Sequence, residues 1–141
     1  MNSETLMRKL LPRALPAVVL LSSLPLVAAE RMTPGKWEFT MTNSGTTRTF
    51  TRCVGAEEAA SVNGDSKAGR AFLESHGPGC KIKSYTIKAD TITVVTVCGD
   101  VAVTSTSHYH GTSAETQTVT KISDGRVITN DMHGHRVGSC R

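Results

Sequence analysis

The chain has 141 residues, a formal net charge of +4 and only 4% aromatic residues. This length is typical of one domain and is too short for a multidomain enzyme. The charges are scattered singly and form no basic stripe, which argues against a nucleic-acid-binding protein. We therefore expect one small domain with a lean core and no nucleic acid among its partners.

The first 29 residues have the pattern of a secretory signal peptide. Basic residues up to Arg13 precede an uncharged apolar stretch, residues 14–27, and small residues follow up to Ala29. Cleavage after Ala29 leaves residues 30–141, with 13 basic and 11 acidic residues and a net charge of +2. The alternative is an uncleaved membrane anchor, but a span needs about 20 residues and this stretch contains two prolines.

The residue directly after the expected cleavage site is Glu30 and not cysteine, so the lipoprotein route is not indicated. The sequence thus predicts a periplasmic or secreted protein with no transmembrane segment after signal cleavage. We expect a monomer.

Residues 30–141 begin with a predicted β-hairpin, and 18 of these 112 residues are threonine. Trp37, Phe39 and Met41 alternate with polar residues, which predicts a strand with one buried face. Residues 43–45, Asn-Ser-Gly, predict the turn, and residues 46–53 the second strand.

A helical excursion follows the hairpin. Residues 56–75 are rich in Ala, Glu and Lys and poor in β-branched residues, which favours helix. Residues 63–65, Asn-Gly-Asp, interrupt this stretch, and Asp65 or Ser66 can cap a second helix.

From Cys80 onward, alternation with a period of two returns in five runs joined by short links. The links are residues 88–90, 99–100, 111–112 and 123–125. Short links between consecutive strands indicate an antiparallel meander. The predicted fold is mainly β: a curved antiparallel meander or partly closed barrel of about seven strands with one helical excursion.

The four cysteines, Cys53, Cys80, Cys98 and Cys140, all lie after the expected cleavage site. An even number in an exported chain predicts two disulfides. A four-cysteine zinc site is the alternative, but such sites use closely spaced pairs and these cysteines stand 27, 18 and 42 positions apart.

The spacing of the middle cysteines favours one pairing. A three-residue loop at 88–90 pairs Ile87 with Thr91, and in that register Cys80 faces Cys98 across the hairpin. The remaining link is then Cys53 to Cys140. The alternative pairing, Cys53–Cys80 with Cys98–Cys140, would enclose the helical excursion in a disulfide loop, and the sequence does not exclude it.

The opening Met32-Thr-Pro-Gly-Lys-Trp-Glu-Phe39 resembles the start of the family called domain of unknown function 3617, and the order of the four cysteines agrees. The chain departs from that pattern at Thr112, where such proteins tend to have an acidic residue. The resemblance implies a small exported protein of the bacterial envelope, and it implies no activity.

Two His-x-His pairs, His108/His110 and His133/His135, are possible metal ligands. Residues i and i+2 of a strand point to one face, so each pair can bind one ion. If residues 113–122 form the strand between them, both pairs lie at the same end of the sheet. The intervening residues 112–114 are small and would let the imidazoles meet. The alternative is four exposed polar side chains.

No catalytic motif is present, and adjacent Glu57 and Glu58 do not form an acid–base pair on a helix. We therefore expect no catalytic residues and no enzyme activity. The first hypothesis is a small-ligand or envelope-partner binding module that needs no cofactor. The second is a surface Zn²⁺ or Cu²⁺ protein, and an envelope enzyme is the third. Candidate ligand-lining residues are Trp37, Phe39, Met41, Tyr85 and Tyr109, for which a plain core role is the alternative.

Overall fold

A computed structural model of the protein describes residues 30–141, so the predicted signal peptide lies outside the described residues. The elements in chain order are β1 (Gly35–Asn43), β2 (Thr46–Val54), α1 (Ala56–Asn63), α2 (Ser66–His76), β3 (Lys81–Lys88), β4 (Thr91–Cys98), β5 (Val101–Tyr109), β6 (Ser113–Ile122) and β7 (Val127–Gly138). Neither helix in this part of the chain has the length and apolar character needed to cross a membrane.

The strands form one antiparallel sheet in the order β2-β1-β7-β6-β5-β4-β3. The sheet does not close, so β2 and β3 are its two edges. The mainly β prediction is thereby confirmed in its open form, with two short helices as the excursion. Because β7 pairs with β1, the two ends of the described chain lie side by side in the middle of the sheet.

The two faces of the sheet differ in composition. The inner face carries Trp37, Phe39 and Met41 on β1, and the helices pack against it. The outer face carries the alternate residues, many of them threonine, and is opposite the helices. Threonine suits this position because its branched side chain favours extended backbone while its hydroxyl remains in water.

The core lies at one end of the inner face, between α1 and the sheet. Trp37 is fully buried and Phe39 is 3% exposed. Their rings stack with centroids 6.0 Å apart. The other buried members of this cluster are Met32, Val54, Ala59 and Ala114. Burial of large aromatic side chains is the main stabilising contribution that such a small domain can make.

Capping and backbone contacts place the helices. The side chain of Asp65 accepts a hydrogen bond from the Ala68 amide at 2.8 Å and caps α2, as predicted. α2 then packs on the edge strand β3, where Gly69 lies so close to the Tyr85 ring that a Cβ would meet its hydroxyl oxygen at 2.2 Å. At the end of α1, the Arg31 guanidinium donates to the carbonyl oxygens of Val62 and Gly64.

In the hairpin of β3 and β4, one sequence-based prediction is wrong and another is confirmed. The predicted pairing of Ile87 with Thr91 is wrong: Lys88 pairs with Thr91 across a two-residue turn, in which Ala89 adopts a φ of +53°. The register then shifts by one between Ile82 and Ser84. This bulge restores the predicted alignment at the other end, so Cys80 and Cys98 are bonded with Cα atoms 4.8 Å apart.

The second disulfide joins Cys53, on β2, to Cys140, beyond the end of β7, with Cα atoms 5.7 Å apart. Both bonds match the favoured pairing from the sequence. Each one secures a different end of the sheet: Cys53–Cys140 lies beside the core, and Cys80–Cys98 lies at the opposite end.

Candidate functional site

A row of polar side chains crosses the outer face in perfect register. His108 on β5 pairs directly with Glu115 on β6, and Glu115 pairs directly with His133 on β7. The row continues to Thr91 on β4 and to Thr40 on β1. We call these five residues the outer-face row. Facing residues on adjacent strands have Cβ atoms about 4.5–5.5 Å apart, so each member lies beside the next.

Three members of the outer-face row, His108, Glu115 and His133, line a shallow depression with a volume of about 320 Å³. Gln117 and Asp131 lie in the same depression, and the Gln117 amide donates to Asp131 Oδ1 at 3.2 Å. The His133 Nδ1 atom lies 3.7 Å from Glu115 Oε1. The chemistry of this depression is that of imidazole and carboxylate groups in contact with water.

The remaining two histidines of the predicted pairs have other partners. His110 lies beyond the end of β5, where its Nδ1 atom is 3.5 Å from Asp90 Oδ2. His135 is on the outer face but one pair away, with Nε2 3.7 Å from Glu38 Oε1. All four imidazoles are exposed, as expected, and the two pairs lie at the same end of the sheet.

Glu115 is not among the site residues predicted from the sequence. The expectation that only small residues separate the two histidine pairs is wrong, because the residue between His108 and His133 is this glutamate. Within residues 30–141, no group of three or more His, Cys, Asp or Glu side chains is arranged to hold a metal ion. The histidines therefore remain candidate metal ligands because of the strand register that aligns them, and not because they form a ligand cluster in the structure.

The candidate ligand-lining residues fall into two groups. Trp37 and Phe39 are buried under α1 and belong to the core. Met41, Tyr85 and Tyr109 are half-buried on the inner face. Burial raises the pKa of both tyrosines above the ordinary value of tyrosine.

The helices do not cover the inner face beside Phe39, on β2, or beyond Phe39 towards the far end of β7. Its members there are half-buried or exposed, and they include Met41, Phe50, Val103, Thr118 and Ile128; we call these five residues the open surface. Phe50 is 42% exposed and Ile128 is 37% exposed. Arg48, an exposed residue of β2 paired with Met41, adds a positive charge at its margin. The amide oxygen of Asn130, on the same side of β7, is buried without a hydrogen-bond partner among residues 30–141.

Arg52 marks the boundary between the covered and open parts of the inner face. Its guanidinium donates to both carboxylate oxygens of Glu58 on α1, at 2.7 and 2.6 Å, and lies 5.0 Å above the Phe39 ring. The hydrogen bonds to Glu58 raise the pKa of Arg52. Glu58 thus has a structural partner, which accounts for one of the two adjacent acidic residues.

The comparisons with known proteins identify a family for this chain. Residues 32–140 match the model of the family described as "Protein of unknown function (DUF3617)". The chain belongs to the DUF3617 family. No curated protein and no solved structure matches the chain. Membership in DUF3617 therefore establishes the family and leaves the function to be inferred from the two faces of the sheet.

Proposed function

We propose that the protein is a non-enzymatic binding module of the bacterial envelope that takes a small amphipathic anion on its open surface. The observation that carries this proposal is the incomplete cover of the inner face. α1 shields Trp37 and Phe39, whereas Phe50 and Ile128, on the same face, are 42% and 37% exposed. An apolar patch that remains exposed on a small domain is typical of an interaction or ligand site.

The chemistry of the open surface supports an amphipathic ligand. Met41, Phe50 and Ile128 offer apolar contact, and Thr118 offers a hydroxyl. Arg48 supplies the positive charge that favours an anionic head group. A ligand with an N–H or O–H group could also relieve the unpartnered amide oxygen of Asn130, since an unsatisfied buried acceptor costs about 1–3 kcal/mol.

The envelope location is supported by two features. The segment before Ala29 has the pattern of a secretory signal, and the described residues contain two disulfides. Disulfides form and persist in oxidising compartments such as the periplasm.

The test is a titration of the disulfide-bonded protein with 8-anilinonaphthalene-1-sulfonate, an amphipathic anion, followed by its fluorescence. We expect saturable binding that Ile128→Ser or Phe50→Ser weakens by about tenfold, equal to about 1.4 kcal/mol. Val127→Ser is the matched control, because Val127 is adjacent in sequence, is 58% exposed and lies on the outer face.

Competition separates the chemical classes of ligand. We expect dodecanoate to displace the probe at lower concentration than dodecyltrimethylammonium, because Arg48 repels the cation. Absence of saturable binding, or equal loss of binding in the Val127 control, would overturn the proposal.

A further inference from the structure

We propose that His108, Glu115 and His133 form a binding site for a divalent cation of the zinc and copper class. This inference concerns the outer face and does not depend on the ligand proposed for the inner face. It begins from the register, which places a carboxylate directly between two imidazoles on three adjacent strands. Three consecutive facing positions on central strands are fixed by backbone hydrogen bonds on both sides.

The spacing allows both imidazoles to reach one ion. Strands that are two apart in a sheet are separated by about 10 Å, since neighbours lie about 4.8 Å apart. Each imidazole spans roughly half of this distance, and zinc binds histidine nitrogen at about 2.0–2.1 Å and carboxylate oxygen at about 2.0–2.2 Å. An ion above Glu115 can therefore be reached by His108 from one side and by His133 from the other.

The three side chains do not converge in the structure, so they must rotate when the ion binds. All three are exposed, and His133 and Glu115 have 65% and 64% of their side-chain surface in water. Exposed side chains change rotamer on the picosecond to nanosecond timescale. His133 already leans towards Glu115, with 3.7 Å between Nδ1 and Oε1.

A hydrogen-bond chain prepares the nitrogen of His108 for a metal. The Thr91 hydroxyl lies 3.2 Å from Asp90 Oδ1, which can only accept when it is ionised, so the hydroxyl donates its proton there. The Thr91 oxygen must then accept from Nδ1–H of His108, 2.8 Å away. This tautomer leaves a lone pair on Nε2. Metal-binding histidines typically donate their other ring N–H to such a partner.

The surroundings favour binding of a cation at the outer-face row rather than beside His110 or His135. Asp131 lies in the same depression and adds a second negative charge near the ion. By contrast, His135 is beside Glu38, outside the row, and His110 lies beyond the end of β5, where it shares Asp90 with Thr91. Two imidazoles with carboxylate oxygen are ligands that suit Zn²⁺ and Cu²⁺.

The experiment is isothermal titration calorimetry with Zn²⁺ on the disulfide-bonded protein purified without a polyhistidine tag. We expect one ion per chain with a dissociation constant on the order of 10 μM. His108→Ala, Glu115→Gln and His133→Ala should each weaken binding by about tenfold or more. His135→Ala is the matched control and should leave the affinity unchanged, because His135 is an exposed histidine of β7 outside the row.

Thr91 is a positioning residue, and it has its own test. Thr91→Val removes the hydroxyl but keeps the shape, so we expect a several-fold weaker Zn²⁺ affinity with an unchanged urea midpoint. Thr91→Ser restores the hydroxyl and should restore the affinity. Absence of binding at about 100 μM Zn²⁺, or an equal loss in the His135 control, would overturn the site.

Discussion

The inner face has two ends that share one sheet but differ in cover. At the covered end, α1 buries Trp37, Phe39 and Val54. Phe50, beside Phe39 on the edge strand β2, and Ile128, towards the other end, remain exposed. The cause is length: α1 has 8 residues and spans about 12 Å, whereas strands of 9 to 12 residues span about 30–40 Å. A short helix pair thus leaves part of an apolar face available for binding.

Each end also has its own disulfide, which allows the two to be compared directly. Cys53–Cys140 joins residues 87 positions apart beside the covered end, and Cys80–Cys98 joins residues 18 apart at the opposite end. In the chain-entropy model, a bond that closes a longer loop restricts the unfolded chain more. The bond at the covered end, Cys53–Cys140, should therefore contribute more to the free energy of unfolding of the domain than Cys80–Cys98 does.

The largest expected effect follows from replacing the cysteines in pairs by serine. Cys53→Ser with Cys140→Ser should lower the free energy of unfolding by about 4–5 kcal/mol, and Cys80→Ser with Cys98→Ser by about 3 kcal/mol. Urea denaturation of the two double variants measures both values. Equal losses, or a larger loss for the shorter loop, would contradict the assignment of the greater stabilisation to the covered end.

A smaller effect is expected at Gly134, a buried glycine of β7 opposite Phe39. A Cβ at this position would lie 2.6 Å from Cε1 of the Phe39 ring, so Gly134→Ala should cost about 1–3 kcal/mol through overpacking. Gly138→Ala on the same strand is the control, because a Cβ there meets nothing within 4 Å. Similar urea midpoints for the two variants would show that the covered end is less tightly packed than the structure indicates.

The outer-face row can be predicted from the sequence. A two-residue link at Gly111 and Thr112 pairs His108 with Glu115, and a three-residue link at residues 123–125 pairs Glu115 with His133. Both pairings occur in the structure. The lengths of the two turns therefore predict the position of Glu115, whereas the spacing of the histidines alone does not.

Other features cannot be predicted from the sequence because they depend on tertiary contacts. Ala89 adopts a left-handed φ of +53°, which its residue type does not favour, and the register shift near Lys83 compensates for the shorter turn. The extent of the open surface depends on where α2 packs on the sheet. The position of α2 depends in turn on the close approach of Gly69 to Tyr85. Helical propensity predicts that α2 forms but not which part of the sheet it covers.

The smallest expected effect concerns Tyr85 and Tyr109, which are the only two tyrosines of the chain. Burial raises the pKa of each, so the folded protein favours the neutral phenol. Their contribution to stability is fully present below the unfolded tyrosine pKa of about 10 and is lost as the pH rises through the higher folded values. Absorbance at 295 nm should show both phenols ionising at higher pH in the native protein than in urea. A tyrosine that ionises at the same pH in both states would be in free contact with water, and for Tyr109 this would mean that the covered end is open to solvent.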